Sequence, residues 1–289
     1  MEKQEIRRIV IFLAFTFVLT YAWTISLIWP RVFASGADVL TEKEVALRGA
    51  LTAALMFFPA IGVLFTRLVT GEGFKNSMLR LNLRGNGRIY LMAWFGPMVL
   101  TLLGAFLYFV LFPSKFTLEQ IGNISSDGSV VVLTIVLLPF TPLLNLIPCL
   151  GEEWGWRGYL LPKVAARIKF LPSVLLTGLV WGLWHAPVVV AGHNYGLDCY
   201  GYPWSGIIAM CIFCIVAGVF LSYITLRTNS CWPAVLAHGA VNGTAGIGLL
   251  FANNGTDCFV GPLPTGIVGG FAYVAVAVWM VLKMRNAKK

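Results

Sequence analysis

The sequence predicts an all-α, polytopic membrane protein, a bundle of about eight transmembrane helices, on three observations. Hydrophobic residues make up 58% of the 289 and charged residues only 11%, against about 25% charged in a soluble domain. The mean hydropathy is +0.81. The apolar residues also fall in runs of about 20, the length that crosses a hydrocarbon core roughly 30 Å thick.

Eight such runs cover residues 9–29, 49–68, 89–112, 129–150, 172–191, 205–226, 232–252 and 265–283. The first, "IVIFLAFTFVLTYAWTISLIW", exceeds the apolar core of a signal peptide and is expected to be retained as a helix. Eight helices leave no room for a second domain. The chain divides only into N-terminal transmembrane helices over 1–128 and a core over 129–289, within one integral membrane domain.

The net charge of +9 follows orientation rather than nucleic-acid binding, because the basic residues are dealt out by loop. Lys3, Arg7 and Arg8 precede the first run; Arg67, Lys75, Arg80, Arg84 and Arg88 surround the second loop; Arg157, Lys163, Arg167 and Lys169 lie around the fourth. Arg227 precedes the seventh run, and Lys283, Arg285, Lys288 and Lys289 end the chain. The alternate loops hold Arg31, Lys43 and Arg48, offset by Asp38, Glu42 and Glu44, then Lys115, and no Lys or Arg over 192–204 or 253–264. Both termini are expected in the cytoplasm, in the plasma membrane of a prokaryote.

Of six cysteines, Cys149, Cys211, Cys214 and Cys231 fall in or beside apolar runs, where a thiol packs as a small hydrophobe. Cys199 and Cys258 lie in loops that the charge pattern places outside, where an oxidising compartment lets them pair.

The stretch "GEEWGWRGYLLP" over 151–162 follows an apolar run with two glutamates and an arginine. A carboxylate at a bilayer faces a polar cavity or a partner, because solvating it in hydrocarbon is costly. Read as a helix opening after Gly151, the stretch puts the acidic pair at an N-terminus, where it suits the macrodipole. Glu153 and Arg157 are then i,i+4 and pair on one face. Glu152 points about 100° away and stays available.

Two of the three histidines lie inside apolar runs: His185 in "LVWGLWHAPVVV" and His238 in "PAVLAHGAVNGTAG". His238 and Asn242 share a helical face, as do Trp181 and His185, while Gly239, Ala240 and Gly243 permit close approach. His193, in the outer loop beside Asn194, reads as solvated. A carboxylate beside an imidazole can take a proton from water, and a second imidazole with a carboxamide can donate to the oxyanion of a tetrahedral intermediate. Zinc held by a Glu and two His uses the same residues. Against it stand the lack of an HExxH pattern and the poor ligand quality of Asn242.

"EEWGWR" fits an EExxxR pattern, "WGLWH" an aromatic-xxx-His pattern and "HGAVN" an HxxxN pattern. In this order, on eight apolar runs, they resemble the CPBP family of intramembrane glutamic endopeptidases, which holds type II CAAX prenyl endopeptidases and Abi proteins linked to bacteriocin immunity. The resemblance covers Glu152 to Asn242; residues 1–150 are similar only as spans. It implies that Glu152 and His185 activate water, that His238 and Asn242 form an oxyanion hole, and that Glu153 and Arg157 support them. It implies too that 129–289 is the catalytic core and that no metal or cofactor is needed. Trp181 stands where the family often has Phe.

Depth poses a difficulty. His185 lies about 20 Å along its run, His238 about 9 Å along its own, and Glu152 near the cytoplasmic end of the fourth. The expectation is that Pro139, Pro142 and Pro148 break the fourth run so that the Glu152 helix dips into the membrane, that the fifth run begins outside it, and that a cavity opens to the cytoplasm and sideways to lipid. The expected partners are a peptide or membrane-protein substrate and the lipid bilayer, with no nucleic acid. A non-catalytic scaffold or immunity-type protein, and an ion-coupled transporter, remain as alternatives of other classes.

Overall fold

The computed structural model describes residues 2–33, 41–124, 129–253 and 257–286. Asp38, Lys288 and Lys289 of the charge pattern lie outside the described residues. The chain runs through α1 (Glu2–Phe33), α2 (Glu42–Val69), α3 (Gly87–Leu111), α4 (Val131–Leu144), α5 (Leu146–Ala165), α6 (Phe170–Trp184), α7 (Trp204–Thr228), α8 (Trp232–Phe251) and α9 (Phe271–Met284). Among the described residues, α1, α2, α3, α7 and α8 are each long and apolar enough to cross a membrane, and α4 with α5, bent by 40°, supplies a sixth crossing as one broken span. The fifth and eighth expected spans are shorter apolar helices, α6 and α9. Outward faces carry Val18 (68% exposed), Leu68 (71%) and Phe106 (68%), which fits lipid rather than water as the surrounding solvent.

Local sequence accounts for the breaks. The TEKE stretch from Thr41 caps α2, with the Thr41 hydroxyl oxygen accepting from the Glu44 backbone N–H at 3.3 Å. α2 interrupts at Met56 and Phe57 and resumes with Pro59 in its first turn, where the missing N–H costs nothing. α7 stops at Asn229, which takes the left-handed conformation, φ 50°. Two of the three prolines mark the break in the fourth run: Pro139 lies in a 3₁₀ turn, Pro142 in a one-turn helix, and the bend falls at Asn145, whereas Pro148 breaks nothing because it sits in the first turn of α5, where a missing N–H is tolerated.

One expectation is corrected here. The helix bearing the glutamates opens at Leu146 rather than after Gly151, so Glu152 and Glu153 stand in its second turn and draw little from its N-terminal dipole. The ladder continues through a π turn at Trp156–Leu160 to Ala165, with Pro162 in the first turn of the last segment rather than ending the helix.

α8 is the central helix, packed against α3, α4, α5 and α7. Glycines allow the closest approaches, Gly239 between α8 and α4 and Gly151 between α5 and α2. A Cβ on Gly239 would lie 2.8 Å from the Pro142 carbonyl oxygen, and one on Gly151 would run into the Met56 carbonyl at the break in α2. Small residues at such crossings let backbones approach closely, which is how helices associate where burial from water drives nothing.

The two ends of the bundle differ. At the end holding both termini, Lys163 Nζ binds Glu5 Oε2 at 2.6 Å and also Glu72, while Arg8 pairs with Glu5 and Glu72. The α2–α3 connection folds beneath the bundle there: Cys231 N–H donates to Met78 O (2.9 Å), Trp232 Nε1 to Leu79 O (2.7 Å) and Trp154 Nε1 to Ser77 O (3.0 Å). α8 therefore starts above this connection rather than at the outermost level, which brings His238 to the depth of Glu152.

At the opposite end Cys199 and Cys258 form a disulfide, their Cα atoms 6.4 Å apart. It ties the loop after α6 to the loop after α8 across 59 residues of chain. Reduction of the purified protein, or Cys199→Ser, is expected to lower unfolding stability by about 2–4 kcal/mol. Thermal unfolding with and without reductant measures this, and a count of six free thiols in the untreated protein would refute the bond.

Candidate active site

Glu153 and Arg157 sit at the heart of the site. Both are fully buried, and Arg157 Nη1 donates to Glu153 Oε1 at 3.0 Å, the expected i,i+4 pair. The same Oε1 receives His238 Nδ1 at 2.9 Å, a link between α5 and α8 that sequence spacing could not reveal. A carboxylate oxygen only accepts, so His238 carries a proton on Nδ1 and can donate from Nε2 only as imidazolium.

Glu152 turns the other way, as the 100° offset requires. Its Oε2 accepts from Trp181 Nε1 at 2.8 Å. Trp181 joins all three motifs: the Arg157 guanidinium lies 4.2 Å from its ring centroid, and the rings of His238 and His185 meet it edge-on at 5.3 and 5.7 Å. His185, at the C-cap of α6, places Nδ1 2.9 Å from the Trp181 carbonyl oxygen. That oxygen has no proton to give, so Nδ1 is the donor and Nε2 is left as the acceptor nitrogen. Asn242, one turn beyond His238, rests its amide 3.7 Å from Cys149 Sγ and is otherwise exposed into a cavity.

The cavity, about 630 Å³, is lined by Glu152, Trp181, His185, His238 and Asn242. Glu152 and His185 face it without hydrogen-bonding to each other. Thus every residue singled out from the motifs converges here, although Glu153 and Arg157 stand behind the wall rather than in it.

His193, read from the sequence as a solvated loop residue, is exposed in the turn after α6. It lines the same cavity, its ring parallel to that of His185 (3°, centroids 6.4 Å apart). Gly192, at φ 91°, turns the chain here, and no periodicity carries through a left-handed turn, so the sequence did not reveal that this loop borders the cavity.

Residues 134–244 match the family model described as type II CAAX prenyl endopeptidase Rce1-like. This core is similar to the CAAX proteases of the CPBP family. The matched stretch runs from α4 to the middle of α8 and contains Glu152, Glu153, Arg157, Trp181, His185, His238 and Asn242. Among similar proteins, "CAAX prenyl protease 2" of Methanococcus maripaludis is 24% identical over 143 residues, covering 46% of this chain and 52% of that protein. The chain thus spans about half the length of that curated relative.

Proposed function

We propose that the protein is an intramembrane endopeptidase that cleaves peptide or protein tails at the membrane by a metal-independent glutamic mechanism. The observation that carries this reading is the opposed arrangement of two hydrogen-bond acceptors on one cavity. Glu152 keeps an oxygen beyond the one that Trp181 occupies, and His185 presents an unprotonated Nε2. A water seated between them donates one hydrogen to each and turns its lone pair toward a peptide carbonyl.

Attack forms the carbon–oxygen bond as Glu152 takes the water's proton. The carbonyl oxygen becomes an oxyanion, to which Asn242 Nδ2 and His238 Nε2–H donate. Glu153 accepts from His238 Nδ1 and fixes the ring, and Arg157 holds Glu153 in place. Collapse breaks the carbon–nitrogen bond, and the proton on Glu152 passes to the leaving amine. The products are one carboxylate and one amine, and no nucleophilic Ser or Cys takes part. With the basic loops inside, both termini are cytoplasmic and the protein lies in the plasma membrane of a prokaryote.

Among the described residues no three His, Cys, Asp or Glu side chains group as a metal site requires. Cleavage of a peptide library by purified protein, read by mass spectrometry, tests the reading. Activity is expected to survive dialysis against a strong chelator, with no stoichiometric metal by elemental analysis. Restoration of a chelated enzyme by added zinc would overturn the glutamic mechanism in favour of a zinc protease.

A further inference from the structure

The cavity was expected to open to the cytoplasm, yet its walls come from the other end of the bundle. Beyond the catalytic set it is bounded by Val32 near the end of α1, Gly49 near the start of α2, His193 and Asn194 after α6, and Thr265 before α9. All are at the disulfide end, and two of these segments, around Asn194 and Thr265, flank the loops that Cys199 and Cys258 join. Toward the other end the way is filled. Immediately past the glutamates, Trp156, Arg157, Tyr159 and Leu161 are at most 1% exposed. Beneath them Tyr159 donates to Glu72 Oε2 at 2.7 Å within the Glu5–Arg8–Lys163 ion cluster, and the α2–α3 connection closes the floor.

The closed end is the basic one. Lys3, Arg7, Arg8, Lys75, Arg80, Arg84, Arg88, Lys163, Arg167, Lys169, Arg227 and Lys283 gather there by helix direction, whereas among the described residues the cavity end holds only the basic residues Arg31, Lys43, Arg48 and Lys115. Basic loops stay in the cytoplasm. The disulfide at the cavity end agrees, since such bonds persist in oxidising compartments.

We propose that substrates reach this site from the extracytoplasmic side. Resting on the endopeptidase reading above, this makes the substrate class peptide segments displayed at the outer face of the membrane, apolar enough to pass walls such as Ile28, Leu55, Val188 and Phe213. A lipidated tail made and held in the cytoplasm meets the filled end and is not a substrate.

Thiol accessibility tests this without requiring activity, so it fails or succeeds independently of the catalytic assignment. Asn242 opens into the cavity, and Asn242→Cys, combined with Cys149→Ala to remove the neighbouring thiol, reports on the site itself. A small membrane-impermeant thiol reagent is expected to label it at least tenfold faster in intact cells than in inside-out vesicles. Asn194→Cys, outside the catalytic set, should behave alike, and exposed Lys169→Cys at the basic end should show the reverse. Faster labelling of Asn242→Cys and Asn194→Cys from inside-out vesicles, or labelling of neither from any side, would overturn the proposal.

Discussion

Glu152→Gln is expected to lower cleavage by about 10²–10⁴-fold, the contribution of a general base, while the protein remains folded. Gln keeps the side-chain shape and an oxygen that can accept from Trp181 Nε1, so the 2.8 Å bond now made to Glu152 Oε2 persists. Only the proton acceptor is lost. The unfolding midpoint should stay within about 4 °C of the wild type, the shift that roughly 1 kcal/mol produces in a chain of this size. The matching test of the oxyanion hole is Asn242→Ala rather than His238→Ala. Asn242 makes one weak contact with Cys149 Sγ, whereas removing His238 also strips Glu153 of a buried partner. Asn242→Ala should lose about 10²–10³-fold in kcat with normal stability. Full activity of purified Glu152→Gln toward a confirmed peptide would remove the glutamic mechanism, and severe unfolding of that variant would make the glutamate pair a structural unit and favour a scaffold.

Arg157→Ala should act through the fold. The guanidinium and the Glu153 carboxylate are fully buried, 3.0 Å apart, and breaking a buried pair costs about 3–5 kcal/mol because the surviving charge has no solvent. Glu153→Gln should be similarly destabilised, with a second consequence: His238 loses the carboxylate that favours its donor form. Activity per folded molecule should therefore fall in Glu153→Gln more than in Arg157→Ala. Replacing both members by uncharged residues of similar size, Glu153→Gln with Arg157→Met, should recover much of the lost stability, since no buried charge is stranded. Chemical unfolding in detergent with each variant completes the cycle. Single variants within about 1 kcal/mol of wild type would show that the pair is not isolated from water.

The motif spacing already separated Glu152 from Glu153, and helix geometry is the reason: residues four apart share a face and neighbours do not. It likewise put His238 beside Asn242 and Trp181 beside His185. The alternation of basic and non-basic loops was legible because loop charge is set by sequence alone. The proline-rich start of the fourth run announced its break. By contrast, the start of α5 at Leu146 was missed: Asn145 stands at its N-cap, but its amide turns back to the Thr141 carbonyl, and the apolar "LIPCLG" reads as a continuation of the preceding run.

What the sequence determined by itself is therefore local: an all-helical membrane bundle, an alternation of basic loops, the faces shared within each short motif, and two cysteines free to meet. Tertiary structure alone decided what crosses between helices. Glu153 reaches His238, Trp181 reaches Glu152, and His193 turns into the cavity, all through contacts between residues 29–85 positions apart or around a glycine turn that no periodicity spans. It also decided which end of the bundle is filled and which is open. That depends on how large side chains such as Trp156 and Tyr159 stack against the α2–α3 connection, and a one-dimensional pattern of apolar runs holds no information about which gap between helices is left unfilled.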